Sequence, residues 1–202
     1  MRNAAARPLP SPGLAELAEG LVAPQKTIAP KYFYDHRGSV LFDRITRLPE
    51  YYLLRAEGTL LPDLARAFAE PGGPSTLVEL GAGKAEKTEP LLAAICRARG
   101  RAHYVPIDVC GEYLQETAVR LRTALPGLTV APVVADFTRA LPIPRNLPGP
   151  VAIAFLGSTI GNLDRPEAIA LLRRVAARLR PGDRFVLGVD LRKDPAILEA
   201  AY

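Results

Sequence analysis

The stretch "LVELGAGKAEKTEPLL", residues 77–92, decides how this chain is read. An apolar run breaks into glycines and then resumes ahead of a helical pattern, as a strand, a tight turn and a helix do in a parallel α/β sheet. A phosphate-cradling P-loop would place glycine immediately before Lys87. A dinucleotide-binding G-x-G-x-x-G loop would place glycine at that same position. Glu86 stands there instead. The turn therefore calls for a ligand that approaches glycine backbone closely but brings no linked phosphates.

Outward from this stretch, apolar runs alternate with amphipathic ones. The runs are "STLVEL" (75–80), "AHYVPI" (102–107), "LTVAPVV" (128–134), "VAIAFL" (151–156) and "RFVLGVDL" (184–191). Helices are expected near 86–99, 111–124 and 165–180. The last is opened by "DRPE" and closed by "RPGD", with proline inside the start and glycine past the end. Runs apolar throughout suit parallel strands covered on both faces. Right-handed crossovers then give a doubly wound, mainly parallel, Rossmann-like α/β sheet. Upstream, residues 12–70 read as helical. "GLAELAEGL" comes first, then "GSVLFDRITRL", where Leu41, Phe42, Ile45 and Leu48 recur at helical spacing, then a third helix near 53–69. Between them lie two aromatic clusters, "KYFYDHRG" and "PEYYLLR". Residues 1–11 read as a loose Pro-rich tail. "DPAILEAAY" starts another helix, with Asp194 as N-cap and Pro195 in its first turn.

At 202 residues, 49% hydrophobic and 23% charged, the chain suits one large soluble domain, alone or with a smaller accessory piece. The net charge of +5 is spread among acids. Its densest basic segments, "CRARGRAH" (96–103) and "LLRRVAARLR" (171–180), fall where helices end and cations complement the macrodipole, so nucleic acid is not an expected partner. Cys96 and Cys110 form no C-x-x-C and no metal-ligand spacing with His36 or His103, so no metal is expected and the thiols suit a reducing compartment. No apolar stretch approaches membrane-spanning length, and "MRNAAARPLPSPG" lacks an apolar signal core. A cytoplasmic monomer without membrane contact is the expectation.

In an open parallel sheet the ligand sits beyond the carboxyl ends of the strands. Those ends carry Gly81 and Gly83 after the first strand, Asp108 after the second, and Asp136-Phe137 after the third. Asp108 can accept both hydroxyls of a ribose. Asp136 can accept an amino proton of adenine while Phe137 packs on the base. The two glycines let the backbone come close. Glu86 would repel a pyrophosphate near the helix N-terminus. A nucleoside with a cationic sulfonium tail escapes that repulsion, and "ELGAG" before a helix is the usual opening of enzymes that use S-adenosylmethionine.

At this point "YDHRGSVLFDRITRLPEYYLLRAE", "LVELGAGKAEKT", "YVPIDV", "FLGSTIGNL" and "RPGDRFVLGVDLRKDPAILEAAY" together resemble the histidine Nα-methyltransferases of ergothioneine biosynthesis, from about residue 28 to the last. The resemblance implies that Gly81, Lys87, Asp108, Asp136 and Phe137 contact S-adenosylmethionine. It also implies that Tyr51, Asn162 and Tyr202 contact the amino-acid substrate, L-histidine, with Tyr34 nearby in the pocket. Residues 12–70 would then belong to the substrate domain, 71–192 to the S-adenosylmethionine-binding domain, and 193–202 to the start of a further substrate segment. Tyr34, Tyr51 and Tyr202 are the candidates to stabilise a growing methylammonium. Read without the resemblance, Lys87 is a first-turn cation, Tyr34 a half-buried aromatic and Asn162 a turn former. Tyr52 reads as packing, and Lys84, Arg37 and Arg55 read as helix-end charges. Members of the family are longer, and the groups that read the imidazole and the strands that complete the sheet would follow Tyr202. A fragment of a longer protein is therefore expected. A remnant that binds S-adenosylmethionine without turnover and a methyltransferase of another aromatic amino acid are the alternatives. A dehydrogenase is disfavoured by Glu86 and the missing third glycine.

Overall fold

Every residue of the first strand, β1 (Thr76–Leu80), is buried, which requires both faces of its sheet to be covered. The computed structural model, which describes residues 12–201, shows how this is done. β1 pairs with β2 (Ala102–Asp108) on one side and β5 (Val151–Phe155) on the other. β3 (Leu128–Val130) and β4 (Val133–Val134) lie beyond β2, and β6 (Arg184–Leu187) lies beyond β5. All pairings are parallel and the order is β3-β2-β1-β5-β6, with β4 also on β2. The chain thus leaves β1 in one direction and returns to its other side, which makes β1 the switch point.

Side chains alternate across the sheet. Leu77, Tyr104, Ala152 and Ala154 enter one core layer, under Leu91, Leu92 and Ile95 of α5 (Glu89–Arg99), Leu114 and Leu121 of α6 (Gly111–Ala124), and Phe68 of α4 (Leu61–Ala69). Val78, Leu80, Val105, Ile107, Ile153 and Phe155 enter the other, under Leu171 and Val175 of α7 (Arg165–Ala176). Full burial of such a side chain contributes about 1.5–3 kcal/mol.

Several expected elements end elsewhere, each for a local reason. The run 128–134 breaks into β3 and β4 around Pro132, which has no N–H to donate to the ladder. The run 184–191 pairs only to Leu187, and Val189 and Leu191 are exposed. The third helix divides into α3 (Leu53–Gly58) and α4, whose first turn contains Pro62. Helix α7 starts at "DRPE" with a capping box in which Asp164 and Glu167 each accept the other's backbone N–H. It stops at Ala176, so Gly182 (φ 92) turns the chain toward β6 and does not cap the helix. Helix α5 starts at Glu89, which leaves Glu86 exposed in the preceding turn. Asp194 caps α8 (Pro195–Ala201) through Ala196 N at 2.9 Å. On α2 (His36–Ile45) the apolar stripe is not core: Leu41 and Ile45, and Leu48 just beyond the helix, are 46%, 42% and 49% exposed, and only Phe42 turns inward.

The described chain forms two compact units, one ending at Phe33 and the other beginning at Tyr34. In the first, α1 (Pro12–Val22) folds with its own continuation: Thr27 N donates to Gly20 O at 3.0 Å, Tyr32 Oη to Gly13 O at 3.0 Å, and Lys31 pairs with Glu16 at 2.7 Å. Cys110 is buried and Cys96 half-buried, both as free thiols. No helix among the described residues is long and apolar enough to cross a membrane.

Among the described residues Glu79 is the one acidic or basic side chain buried in this core, 3% exposed. It accepts from Thr88 Oγ1 at 2.7 Å and from the Tyr104 hydroxyl. Burial pushes its pKa up to about 7, against the pull of those hydroxyls and of the Lys87 ammonium. Burial and this carboxylate push the Tyr104 phenol well above its usual range. The folded state holds the Glu79 proton more tightly than the unfolded chain does. Its contribution to stability is therefore complete below the unfolded value of 4.5 and is lost as pH rises through about 7. In thermal melts between about pH 5 and pH 8, Glu79→Gln should gain on wild type as pH rises. A gap independent of pH would contradict the assignment.

Candidate active site

The loops that leave β1 and β5 contain the two non-glycine residues with left-handed backbone among those described, Ala85 (φ 53) and Ser158 (φ 57). Such sparsely populated conformations cluster at functional sites. The β1 loop is held from beneath. Gly81 N and Ala82 N donate to Ile107 O at 2.8 and 3.3 Å. Thr117 Oγ1 of α6 donates to Gly83 O at 2.9 Å, and Arg120 to Lys84 O at 2.6 Å.

Asp108, at the end of β2, is fixed by this arrangement. Gly83 N donates to its Oδ2 at 3.0 Å and Cys110 N, at the start of α6, to its Oδ1 at 3.1 Å. One backbone N–H per oxygen sets the plane of the carboxylate. Each oxygen keeps a further acceptor position, which suits two adjacent hydroxyls. Beside it, Gly81 (φ 70) is exposed, and an added Cβ would lie 3.7 Å from the Phe137 ring and 3.9 Å from the Thr159 methyl. Phe137 is braced edge-on against Phe155 at 5.4 Å. Asp136 Oδ1 accepts from Thr138 N at 2.9 Å and from the Thr138 hydroxyl, and Oδ2 faces Arg139 Nε at 3.5 Å. An open glycine floor, an aromatic wall and an oriented carboxylate fit an adenosyl group. No grouping of side chains among the described residues could hold a metal ion.

Lys87 stands on the other side of β1. Its Nζ pairs with Glu57 of α3, whose other oxygen accepts from Gly157 N at 2.7 Å. Tyr34 and Tyr51 flank Phe42 in an edge-on row, with centroids 5.5 and 5.9 Å away, and Tyr51 is buried. Arg55 donates to the carbonyls of Leu48 and Pro49 and so braces the turn before Tyr51. Asn162 lies in a 3-10 turn (Thr159–Asn162) and lines a cavity of about 380 Å³ with Ser158, Gly161, Asp190, Leu191, Arg192 and Leu198. Tyr202 lies outside the described residues.

Two sequence readings change. Tyr52 is more than packing: its hydroxyl donates to Asp190, and Lys193 lies 4.8 Å over its ring while also pairing with Asp190. Burial works to raise the Asp190 carboxyl, but the Lys193 and Tyr52 hydrogen bonds and the Leu191 N–H hold it below the usual carboxylate range. Lys84 is not a helix-end charge, since it pairs with Asp43 of α2, which also accepts from the Tyr113 hydroxyl. Glu57, Ser158 and Asp190 were not singled out from sequence. "GSTIGN" is the one local signal, and its Ser158 accepts from Asp190 N at 3.1 Å.

A family model described as histidine-specific, SAM-dependent methyltransferase matches residues 14–202. The chain belongs to that family. Within it, this methyltransferase-family chain is 43% identical over 188 residues to the histidine N-alpha-methyltransferase of Mycobacterium tuberculosis, covering 93% of this chain and 58% of that protein. It is 33% identical over 179 residues to ergothioneine biosynthesis protein 1 of Schizosaccharomyces pombe, covering 84% of this chain and 23% of that protein. The chain thus spans little more than half of the mycobacterial relative's length. Among solved structures, magnesium protoporphyrin IX methyltransferase from Synechocystis, crystallised with SAM, superposes with a TM-score of 0.55 at 15% identity, covering 85% of this chain and 81% of that one. At that identity the likeness is one of fold alone, a Rossmann-like α/β sheet.

Gly81→Ala should lower stability by about 1–2 kcal/mol in denaturant melts, the cost of a left-handed backbone for an L side chain. The same substitution at Gly161, where φ is unremarkable and nothing lies within 4 Å of an added Cβ, should cost far less.

Proposed function

We propose that this chain is the cofactor-binding part, with a portion of the substrate domain, of an S-adenosylmethionine-dependent methyltransferase acting on the α-amino group of L-histidine. The product of three successive transfers would be trimethylhistidine, hercynine, on the route to ergothioneine. The observation that carries this reading is the Asp108 carboxylate, held by the Gly83 and Cys110 N–H groups beside the open floor at Gly81. Residues 12–70 are assigned to the substrate domain, 71–192 to the cofactor domain and 193–202 to the next substrate segment.

In this reading Asp108 accepts both ribose hydroxyls, Phe137 packs on the adenine, and Asp136 accepts its amino proton. Lys87 pairs with the carboxylate of the cofactor's amino-acid tail. Bound there, S-adenosylmethionine supplies a methyl group on a sulfonium centre. Asn162, Tyr51 and Tyr202 hold the carboxylate and amine of the substrate, with Tyr34 beside them. These residues have to keep a neutral amine about 3–3.5 Å from its target, aligned and away from water. An α-amine titrates at about 7.7–8.0, so its deprotonation requires no strongly perturbed base. Tyrosine rings favour the methylammonium that forms, through cation–π attraction and hydroxyl contact.

Calorimetric titration with S-adenosylhomocysteine should show binding that Asp108→Asn weakens about tenfold or more, the loss expected for a hydrogen bond to a charged group. Incubation with methyl-labelled S-adenosylmethionine and a panel of amino acids should place label on the α-nitrogen of histidine. Label on another aromatic amino acid in its stead would replace histidine as substrate. Binding with no transfer to any amino acid would identify a non-catalytic remnant.

A further inference from the structure

Glu57 is used by nothing in this scheme, yet each oxygen of its carboxylate has a partner where the chain leaves β1 and β5. It is 15% exposed. One oxygen lies on Lys87 Nζ and the other accepts from Gly157 N at 2.7 Å. That second oxygen lies so close to Gly188 that an added Cβ there would displace the carboxylate from this position. Gly157 and Gly188 follow β5 and β6, so Glu57 spans strand ends on the side of β1 away from Asp108. An ammonium on a four-carbon stem has no fixed direction of its own. Here one of its three donors is committed to Glu57, which sets where the other two point.

We propose that Glu57 is a positioning residue, holding the Lys87 ammonium and the Gly157 amide at the β5 side of the crevice so that Lys87 grips the carboxylate of an α-amino-acid tail carried by a nucleoside ligand. The inference rests on the cofactor reading: with the sugar on Asp108 at the β2 end, the tail of the same ligand runs across β1 toward Lys87. Because α3 begins two residues after Tyr51, the same carboxylate also moors the tyrosine-bearing segment to the crevice.

Wild type, Glu57→Gln, Lys87→Ala and the double variant of the 202-residue chain are titrated with S-adenosylhomocysteine and with 5′-methylthioadenosine, which keeps base, sugar and sulfur but lacks the amino-acid tail. Glu57→Gln should lose about tenfold in affinity for S-adenosylhomocysteine and keep its affinity for methylthioadenosine. In the Lys87→Ala background it should cost nothing more. Equal losses for the two probes, or wild-type affinity for S-adenosylhomocysteine, would make Glu57 a structural brace and overturn the proposal. Should Glu57→Gln fail to fold by circular dichroism, Glu57→Asp, which keeps the charge but shortens the reach, should show the same selective loss. A wild type that binds neither probe removes the cofactor reading itself, and this inference with it.

Discussion

A strand buried on both faces can offer chemistry only where it ends. β1 is such a strand, and it lies at the reversal of strand order, where open parallel sheets bind their ligands beyond the carboxyl ends. In the proposed function, what the chain does there depends on one carboxylate being aimed. Asp108 is aimed by backbone alone, from the loop after β1 on one oxygen and from the start of α6 on the other. Backbone donors carry no rotamer freedom, so orientation of the carboxylate comes with the fold itself. The glycines belong to the same turn: Gly83, whose N–H holds Asp108, has a φ of 49, a conformation that glycine adopts freely.

Glu79 and Asp108 show how far position along a strand alters a carboxyl group. Glu79 points into the layer beneath α5, where two hydroxyls satisfy it and burial lifts its pKa to about 7. Asp108 stands at a strand end, half in solvent, with acceptor capacity to spare. The first ties sheet to helix; the second faces the crevice. The Tyr52–Asp190–Lys193 cluster is a third arrangement, in which a tyrosine and a lysine on different segments share one acid and fasten the chain after β6 to the turn beside Tyr51.

The doubly wound sheet was legible because its determinants are local. Apolar runs, the glycine turn, the "DRPE" start and the Asp194 cap each declare themselves within a few residues, and the strand order follows from right-handed crossovers. The acids at the strand ends were legible for the same reason. Glu57 was not, because nothing within α3 distinguishes it from any solvated helix acid, and its partners lie 30 and 100 residues away. Tyr52 finds its acid 138 residues on. The stripe on α2 shows the opposite error: periodicity correctly finds a helix but says nothing of what covers it, and Leu41 and Ile45 lie at the surface. Pro132 and Pro62 were in plain view as breakers, yet the apolar runs around them outweighed the missing N–H.

The carbonyls of Gly83 and Lys84 hang from Thr117 and Arg120, and Asp108 is tethered at Cys110 immediately before the same helix. The glycine turn is therefore hitched to α6 on one flank and, through Gly81 N and Ala82 N on Ile107 O, to β2 on the other, so helix and strand together fix where it lies beside the acid. Ala118 and Leu121, on the face of α6 that enters the core layer, thereby help to seat the turn and the acid from below.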